Sequence, residues 1–431
     1  MTLAHGNSVW WAFSVLRQEG FNVPLADESL DLCYPFLGPD LVKLRPEFKG
    51  DEDAFGKGHE WPESQQLEVW ASALARKTYL GSMLAGWAGA LGLGASTPTE
   101  LAAGVHKHAC RFSDRATVQD QNPITTIVEG RTGWQRKFWD LAVNSIEISG
   151  KLKERVSLAL DIIGSGRSEA STLIKPQLTQ DKFLRSMGLA FQLGPSGDLE
   201  DEGGRLRDYS IKIGNALRAD ADSYPPGCGP YRSRLRFGDK RTAEISFSLD
   251  RSAHLEWDEM VSGAELKAVF TFLGEAIAVV PVFTGSGLDD LAIERHQDYE
   301  YPPRAIRIQI DGAPGGQDPD TFKWSKDGGS NWEDTTVEIT GAAQDLDEGV
   351  QIKFNAVTGH VLTERWDWTS YHHSLIVTVP RLLFQDVEDS IEDGIEVVKP
   401  KVIALYNEAS AGPIEWDVIN ATEEYLGTEG A

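Results

Sequence analysis

Cysteine, positive charge and long apolar runs are scarce in this chain, and each shortage excludes something. Only Cys33, Cys110 and Cys228 occur among 431 residues. None stands in a Cys-x-x-Cys spacing, so a disulfide framework and a zinc knuckle are not expected. The thiols fit small buried or half-buried positions in a chain that folds in a reducing compartment. No apolar run approaches the roughly 18 to 20 residues that cross a bilayer. The stretch Met1 to Gly20 lacks a basic start followed by an apolar core and a small-residue cleavage site, so no signal peptide is expected. Lys and Arg number 41 against 66 Asp and Glu, a net charge of −25. A binder that gains affinity by neutralising phosphates needs the opposite balance. Sequence-specific DNA binding is therefore disfavoured, whereas contact with DNA that must be repelled is not.

The motifs that carry chemistry are missing as well. There is no G-x-x-x-x-G-K-[ST] phosphate loop, no G-x-G-x-x-G between a strand and a helix, no G-x-S-x-G elbow and no H-E-x-x-H helix. His106 and His108 stand two apart on an expected strand, so their rings share a face, but no third ligand lies near them in sequence. His372 and His373 point to opposite faces of an extended chain. Asp318, Asp320 and Asp327 loosely resemble an oxygen-rich calcium loop, yet the glycine at the sixth position of an EF-hand loop is absent. The acidic runs Asp198 to Glu202 and Asp386 to Asp393 read as solvated faces. No residue is nominated as catalytic, as a cofactor contact or as a metal ligand, and the chain is not expected to be an enzyme.

What the chain does contain is an ordinary globular share of hydrophobic residues, 41%, and a length that allows roughly three domains at about 150 residues each. Its dominant pattern is the period of two that marks strands with one buried face. Val156, Leu158, Leu160 and Ile162 share one face, and Ser157, Ala159 and Asp161 the other. Ile146 and Ile148 alternate just upstream, with a turn at Gly150 and Lys151, so an antiparallel hairpin is expected. Similar alternation recurs at Ile211 and Ile213, at Ile245, Phe247 and Leu249, at Leu375, Val377 and Val379, and at Ile414, Trp416 and Val418. Helical spacing is confined to Thr78 to Leu91 and Arg251 to Val261. The expected class is mainly β, an α+β chain with few helices.

The order strand, helix, strand, hairpin occurs twice. In the first half a strand at Leu67 to Leu74 precedes the helix at 78–91. Val105 to Phe112 follows, then the pair Leu141 to Ile148 and Arg155 to Ile163. In the second half Ala243 to Asp250 precedes the helix at 251–261. Glu265 to Phe272 follows, and after a long interruption come Ser374 to Val379, Ile395 to Val398 and Lys401 to Tyr406. Residues 1–164 thus read as the first half and 165–207 as a connecting segment packed on one half, with a strand pattern at Met187, Leu189, Phe191 and Leu193. Residues 208–300 and 372–431 read as the second half. Residues 301–371 read as a small inserted β domain: turns are marked by Asp311-Gly, Pro314-Gly-Gly and Asp327-Gly-Gly, and Phe322, Trp324, Trp332, Trp366 and Trp368 supply its aromatics.

A family pattern emerges from the order of these segments. A helix ending in Leu-Gly at Leu84–Gly92 is followed by a His-rich strand at Val105–Phe112 and an extended loop at Asn122–Ile127. An aromatic-rich strand at Phe138–Ser149 leads to a strand ending in Gly at Val156–Gly164. Then come Tyr209–Leu217, Phe237–Phe247 with its glycine turn, and the segments Asp318–Gly329 and Asp347–Phe354. In that order they resemble the tail tube proteins of long-tailed (siphovirus-type) bacteriophages, over most of residues 20 to 420; the twofold pattern departs from single-domain members.

The resemblance implies a duplicated phage-tail-tube β-sandwich or barrel fold with one helix per half and a small inserted β domain. It implies a structural virion protein, the major subunit of stacked rings that make the hollow tube through which phage DNA is ejected. If each chain carries two tube folds, three chains supply six units, a trimeric ring with pseudo-sixfold symmetry; a hexamer is the alternative. The implied partners are further copies of itself, a tape-measure protein in the lumen, and tail initiator, distal tail and terminator proteins at the tube ends. DNA would pass without specific binding, no membrane is involved, and the location is the virion tail after synthesis in the host bacterial cytoplasm. Loops at Cys33 to Pro62 and Ser113 to Thr132 are expected to reach the next ring. An acidic lumen would repel phosphates that pass within a Debye length, about 8 Å. Two other readings stay open: a distal tail or baseplate ring protein of related fold, and a carbohydrate-binding or hydrolytic β protein with the Trp-rich insert as sugar platform.

Overall fold

Wherever apolar and polar residues alternate the chain forms strand, and strands carry most of the structure. The computed structural model describes residues 10–19, 22–35, 47–49, 63–66, 76–94, 98–112, 123–131, 134–151, 154–165, 167–186, 189–217, 241–251, 255–296, 303–313, 318–347, 349–392, 394–409 and 412–425. In chain order come β1 (Trp10–Phe13), β2 (Leu32–Pro35), β3 (Glu47–Lys49), β4 (Glu63–Gln66), β5 (Arg76–Tyr79) and helix α1 (Ser82–Gly92). Next are β6 (Thr99–Ala102), β7 (Val105–Cys110), β8 (Thr125–Arg131), β9 (Trp134–Lys151), β10 (Ser157–Ile163), β11 (Ser168–Ala170), β12 (Leu189–Gly194), β13 (Glu200–Asp201), β14 (Leu206–Gly214), β15 (Thr242–Asp250) and helix α2 (Leu255–Ser262). After β16 (Leu266–Ala276) follow the short strands β17 (Val282–Thr284), β18 (Leu291–His296), β19 (Ala305–Gly312), β20 (Thr321–Ser325), β21 (Asp334–Glu338), β22 (Gln344–Asp347), β23 (Val350–Phe354) and β24 (Arg365–Thr369). The chain continues through β25 (His372–Glu392), β26 (Ile395–Ala404) and β27 (Glu415–Asn420).

Seven strands form a ribbon in which each runs antiparallel to the next, in the order β5-β10-β9-β14-β15-β26-β25. The expected hairpin is β9 with β10, where Ile148 faces Leu158 and Ile146 faces Leu160. Their buried face, with Ile211, Ile213 and Leu249, belongs to one continuous core that runs from Trp11 to Tyr425 and takes residues from both halves. Helix α1 lies inside that core. Leu84, Ala85, Trp87, Ala88 and Leu91 are all buried, as its glycines are, which is what a helix apolar on every side requires.

The strands β9 and β25, 18 and 21 residues long, both extend beyond the ribbon. The first part of β9 pairs with β8 and β11, and β8 continues to β1 and β2. The first part of β25 pairs with β16 and β27, which lead on to β12 and β7. At the bend of β9, Asp140 adopts φ 57°. Its fully buried carboxylate accepts from Gln18 Nε2, the Asn22 amide, Ser165 Oγ and Arg167 Nη1, so the charge and the left-handed backbone are both supported.

Several expectations change. The sheet does not close into a barrel among the described residues. Helix α1 starts at Ser82; Thr78 and Tyr79 are strand, as a β-branched and an aromatic residue favour. Ile395 to Val398 and Lys401 to Ala404 are one strand, and Ser374 to Val379 is only the start of β25. Part of the loop Ser113 to Thr132 is strand β8, and the connecting segment bonds both halves, β11 to β9 and β12 to β16. Leu67 to Leu74, residues 36–46 and 50–62, and residues 113–122 lie outside the described residues.

The inserted module has its own core of Ile306, Ile308, Ile310, Phe322, Phe354 and Trp366 under two small sheets, β17-β24-β19-β20-β21 and β18-β23-β22. Strands β17 and β18, upstream of residue 301, belong to these sheets.

Candidate functional site

The two halves build the same three-strand unit. Strand β5 pairs with β10 and β10 with β9; likewise β15 pairs with β26 and β26 with β25. Helix α1 packs on β9 and helix α2 on β25. The correspondence stops at the strand after each helix, since β16 joins β25 whereas β7 joins β27. Within the chain, the outer edge of β9 from Ser145 to Lys151 is covered by β14, with Ile211 opposite Ile148. The corresponding edge of β25 is not: β16 ends opposite Leu382, and no described strand pairs with Leu383–Glu392 on that side. Asp386, Glu388 and Asp389 along this margin are exposed, and Ile391 is 75% exposed.

The solvent side of the ribbon is built from small and polar residues in register. One row crosses four strands as Ser157, Ser149, Ser210 and Ser246, each opposite the next. Ser149 Oγ and Ser157 Oγ lie 3.0 Å apart. The neighbouring row reads Ala159, Glu147, Lys212 and Glu244, which sets a lysine between two acids. On the ribbon parts of these four strands Glu147, Asp161, Asp208, Glu244 and Asp250 stand with Lys151, Lys212 and Arg207, which pairs with Asp250. The serine row meets Lys401 of β26 opposite Ser246, so both signs are present with only a slight acidic excess. Beside the turn between β9 and β10 lies a groove of about 900 Å³ lined by Tyr79, Gly150, Lys151, Arg155, Asp208 and Tyr209, among others. The Arg155 guanidinium sits 4.9 Å from the Tyr79 ring centre.

One buried cluster has the residue types of a hydrolase. Ser82 Oγ lies 3.0 Å from His373 Nδ1 and 3.3 Å from Asp181 Oδ1. In a catalytic triad the imidazole stands between hydroxyl and carboxylate; here the hydroxyl stands between them. Ser82 is completely buried, and Asp181 is engaged by the Met83 and Leu84 amides and the Tyr34 hydroxyl. It therefore caps α1 from a distant segment. Burial pushes the Asp181 carboxyl up, against those hydrogen bonds. Burial, with Lys182 nearby, holds His373 down to about 4.

The remaining sequence candidates disperse. His106 and His108 lie on β7 with ring centres 6.5 Å apart, and His108 Nε2 donates to the Thr422 carbonyl at 2.8 Å. His372 and His373 are both buried. Asp320 accepts from His360, and Asp327 accepts from Ser325 and Asn331 in a turn, so Asp318, Asp320 and Asp327 do not share a site. Among the described residues no group of three or more His, Cys, Asp or Glu could hold a metal. Trp324, Trp366 and Trp368 are buried in the module core, which removes them from any sugar platform. Burial pushes the Cys33 thiol up to about 11 and Cys110 to about 12; Cys228 lies outside the described residues.

Sequence reasoning missed the open margin of β25 and two polar centres: Asp140, and His360, whose two ring nitrogens lie 3.0 Å from Asp320 and Asp290. Their partners lie 25 or more residues away, so spacing carries no signal for them. No described helix is long and apolar enough to cross a membrane. Comparison with protein-family models and with curated proteins finds no match to this chain.

Proposed function

We propose that this chain is an architectural subunit, a tail tube protein of a long-tailed bacteriophage, whose copies complete one another's sheets around a hollow bore. The observation that carries the reading is the ribbon of two equivalent units with an open margin on β25, at the place where β14 covers β9. An unpaired strand edge is a template for another chain, and a head-to-tail contact closes into a ring when its rotation divides the circle. Two units per chain favour a trimer with pseudo-sixfold symmetry over a hexamer. The finer expectation of a tail-tube fold, duplicated within one chain, belongs to this proposal.

The serine row then lies across the strands, along the circumference of the bore. Small hydroxyls and a slight acidic excess, with Lys401 at the end of the row set opposite Asp386, offer passing phosphates little net positive charge to hold them. The chain's strongly acidic total is not gathered on this face, so repulsion there is mild. The role requires no catalytic residue or cofactor. Its partners are other copies, a tape-measure protein in the lumen, and initiator, distal tail and terminator proteins at the ends, in the virion tail.

A distal tail or baseplate protein with a related fold shares the open edge but forms a single ring. Negative-stain microscopy of the purified protein separates the two. Stacked rings or tubes of uniform bore support the tube subunit, single rings the distal protein, and dispersed monomers under all conditions contradict both.

A further inference from the structure

Strand direction restricts what can follow β25 around a ring. Along the ribbon β5, β9, β15 and β25 run one way, and β10, β14 and β26 run the other. All copies in a ring share one orientation. A second copy arriving with β5 first would therefore lay β5 parallel to β25, in a ribbon whose pairings are otherwise all antiparallel. One strand of opposite direction restores the alternation. The junction inside the chain has such a strand: between β9 and β15 lies β14, the strand immediately before β15.

The described strand immediately before β5 is β4. It pairs only with β3, Glu47 opposite Gln66 and Lys49 opposite Glu63, in a two-stranded sheet that joins no other strand among the described residues. A two-stranded ribbon is marginal in water without a larger sheet to join. The open margin of β25 lacks a strand, and β4 is held only by its short pairing with β3, which a larger sheet can replace. The Leu383–Glu392 margin carries Asp386, Glu388 and Asp389 and no cation, so two such margins brought together gather like charges, which disfavours a two-fold dimer through this edge.

We infer that on assembly β4 of one copy leaves β3 and docks antiparallel on the Leu383–Glu392 edge of β25 in the next copy, between that strand and its own β5. Each ring junction then repeats the β9–β14 junction found inside the chain. This rests on the annular reading above and adds which strands meet and in which direction.

Gln65→Pro tests it, because proline removes a ladder donor and breaks a strand, whereas Gln65→Ala keeps the backbone donor. The expected result is a Gln65→Pro monomer with the circular dichroism and thermal midpoint of the parent but no rings, and a Gln65→Ala protein that assembles normally. Hydrogen exchange should show the amides of 383–392 that point away from β26 exchanging freely in the monomer, and those of them opposite β4 exchanging slowly in assembled parent protein. Rings of Gln65→Pro at the parent's yield, loss of assembly in Gln65→Ala, or rings in which none of the outward 383–392 amides gains protection each overturn the assignment of β4 while leaving the ring intact. Parent protein that forms no rings at all overturns both readings.

Discussion

The hydroxyl of Ser82 lies 3.0 Å from Nδ1 of His373, which ties the first residue of helix α1 to the start of β25, 291 residues further along the chain. Asp181, from the segment that connects the halves, bonds the same hydroxyl and caps the helix. The two sheet units are thus held together as one block by buried polar bonds as well as by the shared core.

Replacing Asp181 should loosen that block. Asp181→Ala strands the Met83 and Leu84 amides and the Tyr34 hydroxyl in the core. A lost helix cap and unsatisfied buried donors together should cost about 2–3 kcal/mol. Asp181→Asn keeps one acceptor and should cost less. Urea unfolding of the three proteins measures both.

The stability of the fold should fall in acid through His373. Its folded-state value near 4 lies below the ordinary imidazole value of 6.5, with burial the first cause and Lys182 the second. Between those values the unfolded chain takes up a proton that the native chain refuses. The site's contribution is therefore complete above about pH 6.5 and is lost as the pH falls through about 4, a change of roughly 3 kcal/mol. Unfolding free energies from pH 7 to 4 should fall more steeply for the parent than for His373→Gln.

Close packing on helix α1 should make Gly89→Ala harmful although alanine favours helix. An added Cβ would stand 2.5 Å from Trp416 Nε1, which donates to the Ala85 carbonyl. The propensity gain of about 1 kcal/mol is outweighed by overpacking, so a net loss of about 1–2 kcal/mol is expected from thermal unfolding.

The inserted module should fail by itself. Trp366 is fully buried among Phe283, Phe354 and His360. Trp366→Ala should cost the module about 3–5 kcal/mol. Calorimetry should then show an early transition for the module and an unshifted one for the main core.

What could be read in the sequence was whatever repeats locally. The β9–β10 hairpin was legible because Ile146, Ile148, Leu158 and Leu160 alternate within one turn of each other. Of the doubled order, the two helices and the hairpin partners were legible, since strands and helices leave different periods, but Leu67 to Leu74 lies outside the described residues and β7 and β16 join different strands. The far half of β25 was not: beyond Phe384 the alternation gives way to exposed Asp386, Glu388 and Asp389 on a strand that β26 covers along one edge only. Strands β17 and β18 are too short for periodicity to separate them from loop. Asp140 and Asp181 act on partners far away in the chain, and the open margin is a fact of pairing that no single segment records.

The most direct measurement is a cryo-electron microscopy reconstruction of the assembled protein. It should show a bore walled by one continuous antiparallel sheet that crosses from β25 of each chain into the next, with the Ser157–Ser149–Ser210–Ser246 row facing inward. A particle whose β25 margin is covered by its own chain, with no pairing across chain boundaries, would contradict the account.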